Sequence, residues 1–492
     1  MKNPSTVLIV GAGPCGLMMA CELRRRGVDA VIVDAAEEPG AGSRAILLWP
    51  PTLELYRDIG ILEEAVKRGV QIKALTYHTG SRPLRLPLAP HMAPLILPQE
   101  DTVELLQDEL SRLGGEVERG VRVTGLTQEK DRVVVTARRA DGTEITLETE
   151  WLIAADGFRS TVRDLVGAEF VGAPLPITFL LAEGTLEGDY DTEAVTYYLG
   201  RTGVVLVAPL PGGRVRISGA LPDGTEIDEG TAQRMLDERG PGGLRVTGLT
   251  MNTTFTSHER IASALRFDRC FLIGDAAHVH SVVGGQGLNL GFADARNLAW
   301  KLAGVLNGRY VPAVLDSYNV ERRAAAEQTV QATGRMARQA VLSPLANRVR
   351  NALLGLAHRS GALSKKFPPL LSGWLIRYPD VLIPAPQQTA KKAVRGLPLP
   401  GTRSPRYTLE PDEADRWQLI TVGPDGGTAY TRGTGLADRL SDLLVHRHRG
   451  GESEGFVLLR PDGYVAAAGG LDDLGPAVTA LENLTPRNSK EH

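Results

Sequence analysis

The sequence predicts an α/β fold: a Rossmann-type dinucleotide-binding domain interleaved with a β-rich domain, then a smaller mixed α/β domain. Three observations carry it. STVLIVGAGPCGLMMACELRRRGVDAVIVDA reads as strand, glycine turn, amphipathic helix and second strand, and its apolar runs VLIV and VIV suit a parallel sheet covered on both faces. From about Gly120 to Glu148 the pattern turns to alternation, as in RVVVTARR and TEITLET, the mark of antiparallel strands. Five prolines between Pro384 and Pro405 then set a terminal segment apart. A chain of 492 residues is too long for one compact core, which agrees with this division.

The remaining elements follow in order. WLIAADGFRSTVRDLVG (151–167) returns to strand, tight turn and helix, and residues 170–265 read mostly as strands, with a hairpin whose turn is Pro-Gly-Gly. RCFLIGDAAH (269–278) is a buried strand ending in an acidic turn. The long helix after it puts Leu288, Phe292, Ala295, Leu298, Leu302 and Val305 on one apolar face, with Asn289, Arg296 and Lys301 off that face. Residues 313–376 are helical in pattern. Beyond the prolines, WQLITVG and GFVLLRPDGYVAAA read as strands, while GLADRLSDLLVHR (435–447) and LGPAVTALENL read as helices. The expected partition assigns 1–75, 99–169 and 266–383 to the dinucleotide-binding domain with its helical segment. It assigns 76–98 and 170–265 to the β-rich domain, 384–405 to a linker and 406–492 to the terminal domain.

Composition narrows the partners. A net charge of −3 gives no global reason to expect nucleic acid or a membrane as partner, and the basic runs RVRN (348–351) and HRHR (446–449) read as solvated faces. An oligomer is compatible with this composition. No apolar stretch reaches the ~18 residues of a transmembrane helix, and no cleavable leader pattern precedes the first strand. Cys15, Cys21 and Cys270 are the only cysteines and form no C-x-x-C pair, which suits a reducing, cytoplasmic location and argues against a thiolate metal site.

The first chemical signal is Gly11, Gly13 and Gly16 in GAGPCG. A tight turn, approach of backbone to a pyrophosphate and close helix–strand packing each require a missing side chain. The helix beginning there offers free N–H groups and its positive dipole end to phosphates. Asp34 closes the second strand at the distance of a ribose-binding acid.

Two later stretches, DGFRSTVR (156–163) and GDAAH (274–278) followed by GGQGLNLGFADARNLAWKLA, decide between dinucleotides. With GAGPCG, in this order, they make the chain resemble the class A, p-hydroxybenzoate hydroxylase-like FAD-dependent monooxygenases, particularly the bacterial polyketide and antibiotic branch. The resemblance covers nearly the whole chain. It implies a glutathione-reductase-like FAD domain, FAD as cofactor, NAD(P)H as co-substrate and a small polyketide-like substrate hydroxylated through a flavin C4a-hydroperoxide. It also implies site residues. Gly11, Gly13, Pro14 and Gly16 would serve the pyrophosphate, Asp34 the adenosine ribose, and Arg44 and Gln99 the pyrophosphate and ribityl chain. Val123, Asp156 and Gly274 would line the cofactor site, and Asp275 would bind ribityl hydroxyls. Gly287, Leu288 and Asn289 would bring backbone N–H groups to the flavin's N1–C2 carbonyl edge, where a reduced flavin is anionic. PGTR (400–403) and LLRPDGYVA (458–466) resemble a thioredoxin-like domain, although a thioredoxin reaction needs paired thiols and none follows Cys270.

One departure stands out. Where this family carries one or two prolines beside the flavin, the chain has Ser281, Val282 and Val283. Proline would fix the backbone and its carbonyl direction. Two readings follow: a working hydroxylase in which the change is tolerated, or an FAD-containing cyclase that closes a polyketide ring without net redox change. His278 and His280 lack a third ligand nearby, so no metal is expected. His278 reads as a packed residue, and His280 as one that could line the active-site cavity.

Overall fold

The computed structural model describes residues 5–40, 45–79, 83–200, 202–222, 224–339, 342–379, 381–383, 396–413 and 415–486. The opening unit forms as expected: strand Ser5–Val10, helix Pro14–Arg24 and strand Ala30–Val33. Ser5–Val10 lies between Ala30–Val33 and Glu144–Ala154, and Val117–Glu118 and Cys270–Leu272 extend the sheet on either side, all in parallel. Numbered along the chain, these five strands run 3-2-1-4-5. The order reverses between Ser5–Val10 and Glu144–Ala154, the place where doubly wound sheets leave a ligand crevice at the strands' carboxyl ends. The alternating segment forms antiparallel strands Val121–Gln128 and Val133–Arg139, which continue into the first half of Glu144–Ala154.

A second, eight-stranded sheet is built largely by the long strands Phe170–Glu187 and Arg245–Ala262, antiparallel to each other. Strands Ala74–His78 and Pro83–Pro87 complete one edge and His278–Val279 the other, so the GDAAH stretch leads from the first sheet into the second.

Several expectations are corrected. The helix Gly287–Leu306 has no solvated polar face: Arg296 and Lys301 are buried, and so are Asp294 and Asn297. The first helix is likewise buried on nearly every side, with Glu22 enclosed and paired to Arg25 and Arg26. In the terminal segment the helix stops at Arg439, and Leu444–Gly450 is a strand parallel to Trp417–Gly423. Within it His446 and His448 turn inward and share the Thr421 hydroxyl at 2.7 and 2.9 Å, so HRHR is only in part a solvated face. The terminal order is strand–helix–strand–strand–strand–helix, with Gly455–Leu459 and Val465–Gly469 antiparallel neighbours. Its core is continuous with that of the first sheet: Trp417 meets Trp300 edge-on at 5.9 Å and donates to the Tyr310 hydroxyl.

Candidate active site

Three motifs far apart in sequence meet at the switch point. Gly11 adopts φ +103°, and a Cβ there would overlap the Ala155 carbonyl and approach the Asp156 Cα, so glycine is required both by conformation and by closeness. Gly16 presses on the Gly11 carbonyl, which seats the helix against the strand. Gly13 differs from both: a Cβ added to it would meet no heavy atom of the protein within 4 Å, so packing does not explain the glycine there. The helix it precedes has Pro14 at its first position, no side-chain cap and no acidic residue in its first turn. Its N–H groups and dipole are therefore presented to an anion.

Asp34 sits at the end of the second strand, where its carboxylate accepts the Ala12 N–H at 2.6 Å and the Ala36 N–H at 2.7 Å. This fixes it beside the glycine turn. Asp156 accepts the Ser160 hydroxyl at 2.5 Å and the Val162 N–H at 3.1 Å; burial raises its carboxyl pKa, and these hydrogen bonds work against the rise. Ser160 in turn caps the short helix Thr161–Leu165. Arg163 then donates to the Ala276 carbonyl at 3.2 Å, tying this motif to GDAAH.

The GDAAH turn packs on the first glycine turn through Cys15. A Cβ at Gly274 would lie 2.8 Å from the Cys15 sulfur, and one at Gly291 would overlap that sulfur. Burial pushes the Cys15 thiol well up, with Asp275 and Asp294 adding to it, so Cys15 is an inert spacer rather than a redox group. Asp275 is exposed on this turn. Gly287, Leu288 and Asn289 form the first turn of the long helix, whose N-cap residue, Gln286, supplies no side-chain cap. Gln286 instead donates to the Leu370 and Leu371 carbonyls.

The Asn289 side chain braces the site: it donates to the Leu47 and Gly285 carbonyls and accepts from the Trp49 N–H and Thr52 hydroxyl, all within 2.7–2.8 Å. Gln99 opens the helix Gln99–Arg112 and accepts the Ala45 N–H at 3.3 Å. The Val123 side chain is buried in the core of the first sheet, where Val123 pairs with Ala137. Arg44 lies outside the described residues.

Sequence reasoning missed the group that holds the GDAAH turn. Asp294 is fully buried and accepts from the Gly274 N–H at 3.0 Å, His278 Nε2 at 2.7 Å and Arg322 Nε at 2.7 Å. Arg322, also fully buried, reaches on to the Tyr378 hydroxyl and the Leu290 carbonyl. Tyr378 stacks on Tyr464 of the terminal unit at 3.7 Å. His278 is thus packed, as its place in the motif suggested, and its partner is the aspartate.

The HSVV stretch is braced without proline. His280 Nδ1 lies 2.8 Å from the Ser281 carbonyl, which can only accept, so that nitrogen carries the proton. Burial lowers the ring's pKa to about 4, leaving it neutral with Nε2 as a bare acceptor lacking a partner among the described residues. Ser281 is itself buried, and its hydroxyl receives the Val283 N–H at 3.4 Å. Val282 is exposed.

A parallel sheet with a glycine turn at its switch point, two uncapped helix N-termini beside it and a second sheet alongside define a dinucleotide-binding flavoprotein scaffold. The model of the FAD binding domain family matches residues 4–333, and the chain belongs to that family, the FAD-dependent monooxygenases of the p-hydroxybenzoate hydroxylase class. It is 34% identical to a 6-methylpretetramide 4-monooxygenase of Streptomyces rimosus over 94% of this chain and 90% of that one. Among solved structures it is similar to an anhydrotetracycline hydroxylase from Streptomyces rimosus, with TM-score 0.76, 27% identity, and 98% and 99% of the two chains covered. It is also similar to a Diels-Alderase of pyrroindomycin biosynthesis, with TM-score 0.73, 26% identity, and 98% and 99% covered. Among the described residues no helix is long and apolar enough to cross a membrane.

Proposed function

We propose that this protein is an NAD(P)H- and O2-dependent FAD monooxygenase that hydroxylates a polyketide-like aromatic substrate. The observation that carries the reading is the meeting of three motifs through Gly11, Asp156, Cys15 and Gly274, beside a Gly13 whose open surroundings leave room for a ligand backbone. FAD, when bound, supplies the redox chemistry, taking hydride from NAD(P)H and activating dioxygen so that one oxygen atom enters the substrate and the other leaves as water. The residues of this chain bind and orient. Gly13, Pro14 and the first helix's N–H groups would hold the pyrophosphate, Asp34 the ribose and Asp275 the ribityl hydroxyls. Arg44 and Gln99 would flank that chain, while Val123, Asp156 and Gly274 shape the pocket. The first-turn N–H groups at Gly287, Leu288 and Asn289 would stabilise negative charge on the reduced ring. The likeness of PGTR (400–403) and LLRPDGYVA (458–466) supports reading the terminal unit as thioredoxin-like, and with no cysteine after Cys270 its role would be structural rather than redox.

The cyclase reading draws support from the likeness to the Diels-Alderase and from Ser281 and Val282. One incubation separates the two: an aromatic polyketide substrate with the purified protein, with and without NAD(P)H and oxygen. A product heavier by one oxygen, formed only with both, supports the monooxygenase; an isomeric product formed equally without them supports the cyclase.

Two variants test the site. Asp275→Ala should weaken FAD by about 1.5–3 kcal/mol through loss of a charge-assisted hydrogen bond, read by fluorescence titration of the apoprotein. An unchanged affinity would remove Asp275 from the site. The second concerns the loop. Because the Val282 carbonyl already accepts the Gly285 N–H at 3.0 Å and His280 holds the Ser281 carbonyl, Val282→Pro should alter turnover little. His280→Ala removes one hydrogen bond, worth about 0.5–1.5 kcal/mol, and should divert reducing equivalents to hydrogen peroxide. Adding Val282→Pro to His280→Ala should restore coupling; the peroxide-to-product ratio is the readout.

A further inference from the structure

Net charge averages over a segment of opposite character. From Gln328 to Pro379 the sequence has eight Lys and Arg and not one Asp or Glu. Within it the helix Pro344–Arg359 places Leu345, Val349, Leu353 and Leu356 at 73%, 53%, 60% and 63% exposure, far above what chance single exposure of leucine explains. At 100° per residue these four fall within one narrow sector. Arg348 and Arg359 border it on one side, with Lys365 exposed on the next helix, Ala362–Leu371, while on the other side Arg350 is half-buried and its guanidinium is held by the Gln339 carbonyl and Asn351 Oδ1. The opposite face is committed inward. Asn347 is buried, and Leu354, Ala357, Leu363, Phe367 and Leu371 pack with Trp49 and Tyr77 in an apolar cluster against the second sheet.

We propose that this helical hairpin lies on an anionic lipid surface, with the four apolar side chains entering the headgroup–acyl boundary and the basic side chains meeting lipid phosphates. An amphipathic helix with bare leucines and an all-basic border has the form of an interfacial anchor, and its charge is complementary to such a surface. A second copy of the chain fits less well, because self-pairing would set Arg348 and Arg359 against like charges with no acidic residue on the hairpin to answer them. This association is peripheral, consistent with the absence of a spanning helix among the described residues. It depends on the surface alone and not on the reaction catalysed.

Sedimentation of the full-length, flavin-loaded protein with phosphatidylcholine vesicles, alone or doped with phosphatidylglycerol, tests it. Binding should appear with the doped vesicles and weaken as salt is raised. Each basic residue brought to the surface contributes about five-fold in partitioning, so Arg348→Glu with Arg359→Glu should lower binding by ten-fold or more, on the order expected from those two terms. Leu353→Ser with Leu356→Ser should abolish it at low salt, and both variants should keep wild-type unfolding midpoints because the changed side chains are exposed. No binding to the doped vesicles overturns the proposal. So does a wild-type dimer that the leucine variant dissolves, which would assign the face to a second copy, or binding to an acidic polypeptide without binding to vesicles.

Discussion

Asp294→Ala should destabilise the protein by about 3–5 kcal/mol, the cost of stripping the partner from a buried charge, and should release flavin as it does so. Arg322 would be left without its carboxylate in a place water does not reach, while Gly274 and His278 would lose the acceptor that sets the GDAAH turn. Asp294→Asn keeps the shape and an acceptor oxygen but not the charge, so a smaller loss is expected. The wild-type network also has a pH signature. Burial alone would raise the Asp294 carboxyl, but His278 and Arg322 outweigh it and hold the pKa below the ordinary value. A depressed folded pKa means the stabilisation is fully present above the unfolded value, near 3.9, and is lost as pH falls through the folded one. Thermal unfolding across that range should show wild type losing stability toward acid more steeply than Asp294→Ala. Equal midpoints at neutral pH would refute the assignment of Asp294 as the turn's anchor.

What the sequence made legible was local. GAGPCG, DGFRSTVR and GDAAH are each confined to a few residues, so spacing identified the glycine turn, and the family resemblance that the three carry in this order pointed to the class. The strands of both sheets were legible for the same reason, since burial on one face or two leaves a short-range period. The anchors were not. Asp294 meets Arg322 across 28 positions, and Asn297 meets Asp462 across 165, distances no periodicity spans. A signal did exist: Asp294, Asn297 and Lys301 fall at i, i+3 and i+7 in a helix otherwise apolar, a polar stripe that needed a buried partner rather than solvent. The strand Leu444–Gly450 was misread because LLVHR continues a helical apolar spacing, and only its parallel pairing with Trp417–Gly423 decides otherwise. How the proline-free loop holds its backbone was not legible, because the brace is a side-chain hydrogen bond from His280, which leaves no compositional trace.

Arg460→Leu should be among the most damaging single changes distant from the flavin. Arg460 donates to both carboxylate oxygens of Glu321, at 2.7 and 2.8 Å, and to Asp462 at 2.7 Å, and Lys301 adds a further bond to Glu321 at 2.7 Å. All four groups are buried, so charges here are balanced only by one another. Glu321 faces two cations, which overcome its burial and push its carboxyl down to about 2; Lys301 has a smaller share of countercharge, and burial draws it down to about 8, still protonated at neutral pH. Removing the guanidinium leaves two carboxylates competing for one ammonium, a loss of about 3–5 kcal/mol. The cluster joins the terminal unit to the long helix and to Asp316–Arg338, so the loss falls on docking of that unit. FAD affinity measured in the cold should change little, whereas the unfolding midpoint should drop sharply. Ending the chain after Pro405 should do more, because it also exposes Trp300 and removes Tyr464 from Tyr378. In wild type the stabilisation from Glu321 is present above its unfolded pKa, near 4.3, and disappears as pH falls toward 2. Arg460→Leu should lose most of that acid limb. If it keeps both the limb and the wild-type midpoint, the buried cluster does not hold the terminal unit in place.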